Sequence, residues 1–377
     1  MTSSIVSLAP EHTEESPNRT GQAASGFMNL RVVRGPLETE QSETVLRHYN
    51  RLTSANIPLS DYLRWVQEGP DGPAWHVLLE NDASEIVGHS SVIPLRCRLD
   101  GKQILAGKSE YSFILEEYRS AKIRGFENLP KLRNAIMVQQ LFQRCQAEGI
   151  RPLLISTSSA RQRTLGLVEC GAVTFPVSEC LLVLRPWSAA KKTPNLQRWQ
   201  RATLGIAGTF QTGAGLLAQG LWQASNEIRS VPIGEGVSTG NDERLRFFDD
   251  SDALKWRYPK EQYEQLAFEG RKGEHLIVKS GAPDRYLRVC QWRLGSEQPT
   301  LPLVAKLIET AQKQMALGIR WAVYGDDEGA RKLSGRIRKF GFLCARRART
   351  LLISSRQREF LSPDQWDLSD ALFSFDP

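Results

Sequence analysis

The chain has 377 residues, with 49 Lys and Arg against 42 Asp and Glu and a formal net charge of +7. This length corresponds to about two domains of roughly 150 residues each. With 41% hydrophobic and 24% charged residues, the composition excludes both a disordered chain and a bundle of membrane spans, and it indicates a globular protein with buried cores.

The positive charge is concentrated in one segment. Residues 331–358 hold ten Arg and Lys and no acidic residue, which leaves 39 basic against 42 acidic residues elsewhere. A solvated helix face is the default interpretation. The alternative is an anion-binding surface formed by Arg336, Arg338 and Arg346, because guanidinium groups match phosphate and carboxylate. We expect no nucleic-acid partner, because no interleaved aromatic residues or nucleic-acid-binding motif accompany the charge.

The six cysteines form no CxxC pair and do not cluster with histidine, so we expect no metal site. Scattered single cysteines are typical of a reducing compartment, where they act as small apolar residues. The first 20 residues lack the basic and apolar runs of a secretory signal. We therefore predict a cytoplasmic protein with a disordered tail at 1–27.

Apolar periodicity predicts a mixed α/β unit in the first half. The clearest helix spans 128–148 and ends at Gly149, and a buried strand, PLLIS, follows at 152–156. The order of elements is not a run of βαβ repeats, which favours a mixed sheet. The other predicted elements are strands at 28–34, 74–80, 85–94, 103–115 and 179–184 and helices at 38–50, 58–66 and 160–168.

The second half repeats part of this order. The string QAEGIRPLLIS around Gly149 parallels QMALGIRWAVY around Gly318, 169 residues later, and Gly171 and Gly341 are 170 residues apart. Two markers in the same order at nearly the same offset indicate a duplicated unit. The predicted elements are strands at 285–293 and 321–324 and helices at 303–317 and 328–340.

A linker separates the halves. We predict domains at 28–187 and 243–377, joined by a partly helical linker at 188–242. The segment 196–224 is mildly apolar but holds internal glutamines, so it falls short of the ~20 apolar residues that a membrane span requires. A helix packed across the domains is the first interpretation, and an amphipathic helix lying on a membrane surface is the alternative.

Several strings carry a resemblance to a known family. The first half holds IVGHSSVIPLRCRLDGKQILAGKSEYSFILEEYRS at 86–120, with a strand pair and then a Glu-Tyr-Arg turn. The second half holds LKWRYPKEQY at 254–263, RKFGF at 338–342 and DQWDLSD at 364–370. Each half resembles the GNAT fold of acyl-CoA N-acyltransferases, and the pair resembles double-GNAT proteins found with bacterial polysaccharide and cell-wall genes. The resemblance implies an α/β fold (α+β mixed sheet) with two tandem GNAT-like domains joined by a helical linker.

The resemblance also implies a cofactor site for acetyl-CoA. Family members hold the pyrophosphate in a turn patterned Q/R-x-x-G-x-G/A, because backbone N–H groups must approach the phosphates closely. Here the turn occupies 119–125, and Lys122 and Arg124 stand in place of glycines, so that cationic side chains would hold the phosphates. The cofactor-binding candidates are the end of the preceding strand and this turn: Phe113, Ile114, Leu115, Arg119, Ser120, Lys122, Ile123, Arg124 and Gly125.

The candidate general base is Glu110, because some relatives carry an acid on the strand before the turn. The corresponding turn of the second half, GSEQPTLP at 295–302, has an acid and prolines in place of an anion cradle, which implies a degenerate domain that shapes the acceptor site. The implied activity is transfer of an acetyl group from acetyl-CoA to an amine, on a saccharide or cell-wall precursor, without a metal. The alternatives are a catalytically silent GNAT-like scaffold and a Fem-type aminoacyl transferase.

Overall fold

The computed structural model shows two β-sheets with helices packed on both. In the described residues the chain forms seventeen strands and seven helices. These residues are 26–99, 102–128, 133–151, 153–157, 173–192, 202, 205, 228–237, 245–247, 250–271, 273–279, 285–294, 300–325, 328–346, 350–354 and 366–367.

The first half follows the predicted order of elements closely. A 3₁₀ turn, Glu116–Tyr118, follows the fourth strand. The elements are β1 (Phe27–Arg34), α1 (Thr39–Thr53), α2 (Leu59–Gln67), β2 (Trp75–Glu80), β3 (Ile86–Leu99), β4 (Lys102–Ile114), β5 (Lys122–Ile123), α3 (Arg133–Ala147), β6 (Leu153–Thr157), β7 (Val173–Phe175), β8 (Val177–Val183) and α4 (Pro186–Lys192).

The second half holds more strands than the sequence predicted. The predicted helix 303–317 ends at Lys313, because Met315 has a positive φ of 55° and the chain turns there. The elements are β9 (Ile228–Val231), β10 (Leu245–Phe247), α5 (Ser251–Arg257), β11 (Tyr263–Phe268), β12 (His275–Lys279), β13 (Leu287–Arg293), α6 (Leu301–Lys313), β14 (Gly318–Tyr324), α7 (Glu328–Lys339), β15 (Leu343–Arg346), β16 (Thr350–Ser354) and β17 (Trp366–Asp367).

Seven strands of the ten-stranded first sheet have the same arrangement as the seven strands of the second. The first has the order β5-β1-β2-β3-β4-β6-β16-β7, with β10 paired to β3 and β17 paired to β10, and the second has the order β9-β11-β12-β13-β14-β8-β15. In each sheet a run of antiparallel strands is followed by a parallel pair, β4 with β6 and β13 with β14. The first sheet also has two short parallel pairs, β1 with β5 and β10 with β17. Two antiparallel neighbours follow each parallel pair.

The halves exchange strands: the second half contributes β10, β16 and β17 to the first sheet, and the first half contributes β8 to the second. Strand β16, from the second half, lies between β6 and β7 in the first sheet, and β8, from the first half, lies between β14 and β15 in the second. The sheets therefore do not follow the domain limits expected at residues 187 and 243. Because β8 and β16 each bond on both of their edges, neither sheet is complete without the other half of the chain.

Helices α6 and α7 cover one face of the second sheet, and the other face contacts the first half. Helices α1 and α2 lie against β3 and β4, and α3 contacts β1 to β4. Helices α6 and α7 bury Leu307 and Ile337 in a core on the outer face of the second sheet. The inner face contributes Ile277 and Tyr324 to the core of the first half, so one continuous apolar core joins the two sheets.

The two glycines that mark the repeat have different roles. Gly149 ends its helix with a φ of +80° in open space. Gly318 instead begins β14, which pairs with β8. A Cβ at Gly318 would lie 2.2 Å from the carbonyl oxygen of Leu182 on β8. A side chain at Gly318 would therefore push the exchanged strand β8 away.

The expectation of six unpaired cysteines is wrong for two of them. Cys180 on β8 and Cys344 on β15 are directly paired across the strands and form a disulfide. Cys97, Cys145 and Cys290 form no disulfide and are buried, as small apolar residues are. The scattered spacing concealed the disulfide because 164 residues separate its cysteines in the sequence.

Three sequence predictions fall outside the described residues. These are the tail up to residue 25, the helix at 160–168, and the segment 196–224 apart from positions 202 and 205. Among the helices that the structure describes, none combines the length and apolar character needed to cross a bilayer.

We expect the disulfide to stabilise the second sheet by fixing β8 in it. A disulfide typically stabilises a fold by about 2 to 4 kcal/mol, so Cys180→Ala/Cys344→Ala should lower the free energy of unfolding in urea by about that amount. Reductant should lower the stability of the natural protein and leave the double variant unchanged. Equal urea midpoints for oxidised and reduced natural protein would contradict the assignment.

Candidate functional site

The parallel strands β4 and β6 separate in the middle of the first sheet. They pair through three positions, from Gly107 with Leu153 to Ser109 with Ile155. Both strands continue beyond the last pair, β4 to Ile114 and β6 to Thr157. In the part of the chain that the structure describes, no strand pairs with this edge of β4 beyond Ser109, so its backbone groups can meet a ligand.

A β-bulge lies on β4 at the same place. The register with β3 shifts between His89 and Ser91, so that Tyr111 and Ser112 together lie opposite Ser90. Tyr111 has a φ of +53°, which is a strained conformation for a residue with a large side chain. The Ser112 and Ser90 hydroxyls are 2.6 Å apart. The bulge turns the chain where the two strands part.

A buried ion pair lies beside the bulge. Lys108 and Glu110 are two residues apart on β4 and therefore share a face of the sheet. Lys108 Nζ lies 2.5 Å from Glu110 Oε1, with the Lys108 side chain fully buried and the Glu110 side chain 9% exposed. Lys108 Nζ also donates to the carbonyl of Ser109. The ion pair holds the Glu110 carboxylate in one orientation at the point where β4 leaves β6.

Two buried histidines connect the bulge to β2. The Tyr111 carbonyl can only accept, so His89 donates its Nδ1 proton to that oxygen at 2.9 Å. His89 Nε2 is then an acceptor and takes the Nδ1 proton of His76 at 3.0 Å. His76 Nε2 is buried and has no partner among the described residues. The histidine pair thus fixes the strained carbonyl of Tyr111.

Burial keeps both histidines neutral. Desolvation lowers the pKa of His89 to about 4. Desolvation, and then the neighbouring His89, lowers the pKa of His76 well below its usual value. A neutral pair is what the two hydrogen bonds require, because each ring donates one proton and His89 also accepts one.

Aromatic rings from helices α1 and α2 pack against Tyr111 of the bulge. The Tyr111 ring packs edge-on against Tyr49 of α1 and Tyr62 of α2, with centroids 5.1 and 4.9 Å apart. Burial raises the pKa of the Tyr62 hydroxyl, so this residue is a neutral phenol. Helix α2 therefore connects the bulge directly to the junction with the second sheet.

The strand-end candidates for the cofactor lie at this site. Phe113, Ile114 and Leu115 follow the bulge, and their side chains are buried. The Leu115 N–H donates to the carbonyl of Val87. Because these apolar side chains belong to the core, a ligand in the gap beside β4 would meet mainly the backbone of this segment.

The structure does not bring the rest of the predicted turn to the same place. Lys122 and Ile123 form β5, which pairs with Phe27 and Met28 of β1 at the opposite edge of the sheet. Four strand intervals, about 19 Å, separate β5 from β4. Arg119 and Ser120 are exposed just after the 3₁₀ turn. The Arg124 guanidinium lies 2.8 Å from an Asp82 carboxylate oxygen.

An internal carboxylate already occupies part of this turn. The Gly125 N–H donates to Glu127 Oε1 at 2.9 Å. Hydrogen bonds from the backbone N–H groups of Glu127 and Gly125 lower the pKa of the Glu127 carboxyl. Glu127 is exposed, so a phosphate would have to displace its carboxylate to use these donors.

The three acceptor-site arginines lie away from the bulge. Arg336 and Arg338 belong to α7, which packs on the outer face of the second sheet through Ala330 and Ile337. Arg346 ends β15. The basic helix is thus separated from the inner face of the second sheet by the sheet itself.

Sequence reasoning singled out Glu110 but missed Lys108 and the histidine pair. The alternation Lys-Ser-Glu on a predicted strand was a signal for the ion pair, because residues two apart share a face. Nothing local to either residue could show that His76 and His89 meet, since their contact depends on the pairing of β2 with β3.

Comparisons of the whole structure identify similar folds. The sequence itself matches no family model and no curated protein. One similar structure is a conserved protein of unknown function from Enterococcus faecalis V583, a probable N-acyltransferase, with a TM-score of 0.53 and 10% identity over 86% of this chain and 72% of that one. Another is Saccharomyces cerevisiae N-myristoyltransferase with bound myristoyl-CoA and inhibitors, with a TM-score of 0.51 and 11% identity over 86% and 79%.

These likenesses show the fold. The expected mixed α/β fold is confirmed, because the two mixed sheets with flanking helices are similar in structure to a probable N-acyltransferase and to N-myristoyltransferase over 86% of this chain. Among the described residues no group of three or more potential metal ligands comes together.

The histidine pair should make stability depend on pH. The folded pKa of His89, about 4, lies below its usual 6.5, so the unfolded state binds more protons between these values. The contribution of the neutral histidine is present above pH 6.5 and is lost as pH falls toward 4, by about 3 kcal/mol in total. The measurement is urea unfolding of the natural protein at pH 7 and pH 4.5.

The matched variant is His89→Asn, which keeps a donor for the Tyr111 carbonyl but does not titrate. We expect a smaller loss of stability on acidification in His89→Asn than in the natural protein. The same loss in both proteins would show that His89 is not the titrating group.

Proposed function

We propose that this protein is an acyl-CoA-dependent N-acyltransferase that transfers an acetyl group to an amine of a small-molecule acceptor. One observation carries the proposal: β4 leaves β6 at Ser109 beside a strained bulge and a buried carboxylate, Glu110, within the fold of an N-acyltransferase. A gap between parallel strands exposes backbone donors and acceptors, and the carboxylate adds a proton acceptor.

The edge of β4 suits the pantetheine arm of acyl-CoA. This arm carries two amides, and the backbone from Glu110 to Ile114 is the part of β4 that β6 leaves uncovered. Hydrogen bonds between the amides and this edge would place the thioester near Tyr111. The buried Phe113 and Ile114 side chains support the edge from the core side.

Glu110 is the proposed general base. The amine nitrogen would attack the thioester carbonyl carbon, form the amide bond, and release CoA as the thiolate. The proton lost by the amine passes to the Glu110 carboxylate, directly or through one water. Lys108 orients this carboxylate through the 2.5 Å contact. The bulge and the histidine pair fix the backbone beside it.

The phosphates of CoA would lie beyond the 3₁₀ turn. Arg119, the first cationic residue after the end of β4, is the residue that we propose to bind them. Lys122 and Arg124 lie further away, at the β1 edge, and Glu127 competes for the Gly125 N–H. The hydrogen bond from the Gly125 N–H to Glu127 favours a second candidate function, that of a catalytically silent acyltransferase fold that acts as a binding protein.

Calorimetry with acetyl-CoA tests the proposal. We expect heat of binding at ligand concentrations below about 1 mM, a range typical of enzyme substrates. Arg119→Ala should weaken the binding. The absence of heat at several millimolar acetyl-CoA would overturn the acyltransferase assignment and favour the silent binding protein.

The role of Glu110 is tested with Glu110→Gln, which keeps a hydrogen-bond acceptor for Lys108 but removes the base. With an amine acceptor that the natural protein acetylates, kcat should fall by about 10² to 10⁴-fold, while the affinity for acetyl-CoA stays the same. The control is Glu328→Gln, an exposed glutamate on α7 that pairs with Lys332. An unchanged kcat in Glu110→Gln would exclude this carboxylate as the base.

A further inference from the structure

A histidine of helix α1 lies over the end of β4. The His48 ring packs on the Phe113 ring, with centroids 5.9 Å apart and planes tilted by 54°. The His89 ring lies 6.1 Å from the same Phe113 ring. His89 is fully buried, whereas His48 is half-buried. His48 is therefore the histidine through which this site can exchange protons with solvent.

Glu110 and His48 lie on the same side of the first sheet. Glu110 pairs directly with Ser91, and Phe113 pairs with His89. His89 and Ser91 are two residues apart on β3 and share a face, and directly paired residues project from the same face of a sheet. Glu110 and Phe113 therefore lie on one face, about 7 Å apart along the strand. An amine that reaches the Glu110 carboxylate thus arrives beneath α1.

One ring nitrogen of His48 is a buried acceptor. Its Nδ1 makes no hydrogen bond with the residues that the structure describes. Desolvation, and then the guanidinium groups of Arg51 and Arg47, lowers the pKa of the imidazole, against the raising effect of Glu117. Among the described residues, these are the charged groups that shift this pKa. The ring is thus neutral at pH 7, and the tautomer with its proton on Nε2 leaves Nδ1 free to accept.

Other polar groups that the structure describes around the bulge are poor proton acceptors at pH 7. His89 uses both ring nitrogens in hydrogen bonds, and desolvation lowers its pKa to about 4. His76 is fully buried, and its pKa is well below the usual value. Tyr62 is a phenol whose pKa burial raises. The Lys108 ammonium group is already protonated in its ion pair.

The proposed reaction needs two proton acceptors. An alkylamine has a pKa of about 10, so at pH 7 it reaches the protein as an ammonium ion. One proton must leave before the nitrogen has a lone pair for attack, and a second leaves when the C–N bond forms. In the proposed function Glu110 accepts one of these protons. A second base must accept the other.

We propose that His48 is this second base and takes a proton from the ammonium form of the acceptor, directly or through one water. The inference rests on the proposed function and adds the class of acceptor, an aliphatic amine that is protonated in solution. A neutral imidazole suits this step, because a general base works best with a pKa near the pH of the reaction. The buried Nδ1 is the atom that would receive the proton.

The proton transfers balance over one turnover. The ammonium group gives one proton to His48 Nδ1, and the neutral nitrogen attacks the thioester carbonyl carbon. The second proton passes to Glu110 as the C–N bond forms. The C–S bond then breaks, and the CoA thiolate takes the proton from Glu110, which restores the carboxylate. His48 releases its proton to solvent, so the products are the amide, CoA and one proton.

The dependence of kcat/KM on pH tests this role. With an alkylamine that the natural protein acetylates, kcat/KM for the amine should stay nearly constant from pH 7 to pH 9, because His48 is neutral and the amine is protonated throughout. In His48→Gln only the neutral amine can react. Its kcat/KM should be about 10²-fold lower at pH 7 and rise about 10-fold per pH unit, while the affinity for acetyl-CoA stays the same. A purely structural defect would lower the rate equally at every pH.

NMR titration of the imidazoles gives a readout without any substrate. The resonance that is absent from His48→Gln belongs to His48 and should titrate below pH 6.5, the ordinary value. Arg51→Gln removes a guanidinium that lowers this pKa, so the NMR titration and the acid limb of kcat/KM should both move to higher pH. The matched control is Glu43→Gln, an exposed glutamate on the same helix, which should leave both unchanged. If His48→Gln does not fold, Arg51→Gln provides the test, because its side chain is exposed.

Three results would overturn the role of His48. They are the same pH dependence in His48→Gln and the natural protein, an NMR titration at or above pH 6.5, and an acid limb that does not follow the NMR titration in Arg51→Gln. In each case an active natural protein would leave the proposed function intact. A natural protein that neither binds acetyl-CoA nor acetylates any amine would overturn both.

Discussion

The exchange of β8 and β16 between the two sheets is the constraint on which the rest of the structure depends. Each strand lies between two strands of the other half, so both of its edges are hydrogen-bonded. The Cys180–Cys344 disulfide adds a covalent bond to β8. The halves therefore form one body, and Trp65 of α2 packs edge-on against Trp256 of α5 at their junction.

This arrangement puts a parallel strand pair at the corresponding place in each sheet, β4 with β6 and β13 with β14. In the first sheet, Lys108 and Glu110 lie where β4 leaves β6, and their charges compensate each other. At the corresponding place in the second sheet stand Arg288 and Cys290, so that the positive charge has no carboxylate two residues on. The paired carboxylate, which is the proton acceptor in the proposed function, therefore belongs to the first sheet alone.

The sequence predicted the first half well because its apolar periodicity is strong. The strands around 74–115 and the helix ending near Gly149 lie where they were expected. The secondary structure of the second half was harder to predict. Strands β11 and β12 were not predicted, because a buried run such as HLIVK has no alternation that distinguishes a strand from a helix. Among the site residues, Glu110 came from its place before the Glu-Tyr-Arg turn. His76 and His89 depend on pairings between strands, which no local pattern shows.

The concentration of charge at 331–358 was the most prominent feature of the composition, and the sequence by itself determined where that charge lies along the chain. Only the tertiary structure decided which cations share a confined place. Helix α7 presents its arginines on the outer face of the second sheet, in solvent or half-buried, where water screens charge. Lys279, Arg288 and Arg320 belong to three different strands, and strand pairing aligns them on one face of the second sheet. Their proximity is a property of the sheet, because register, not sequence spacing, sets which side chains lie opposite each other.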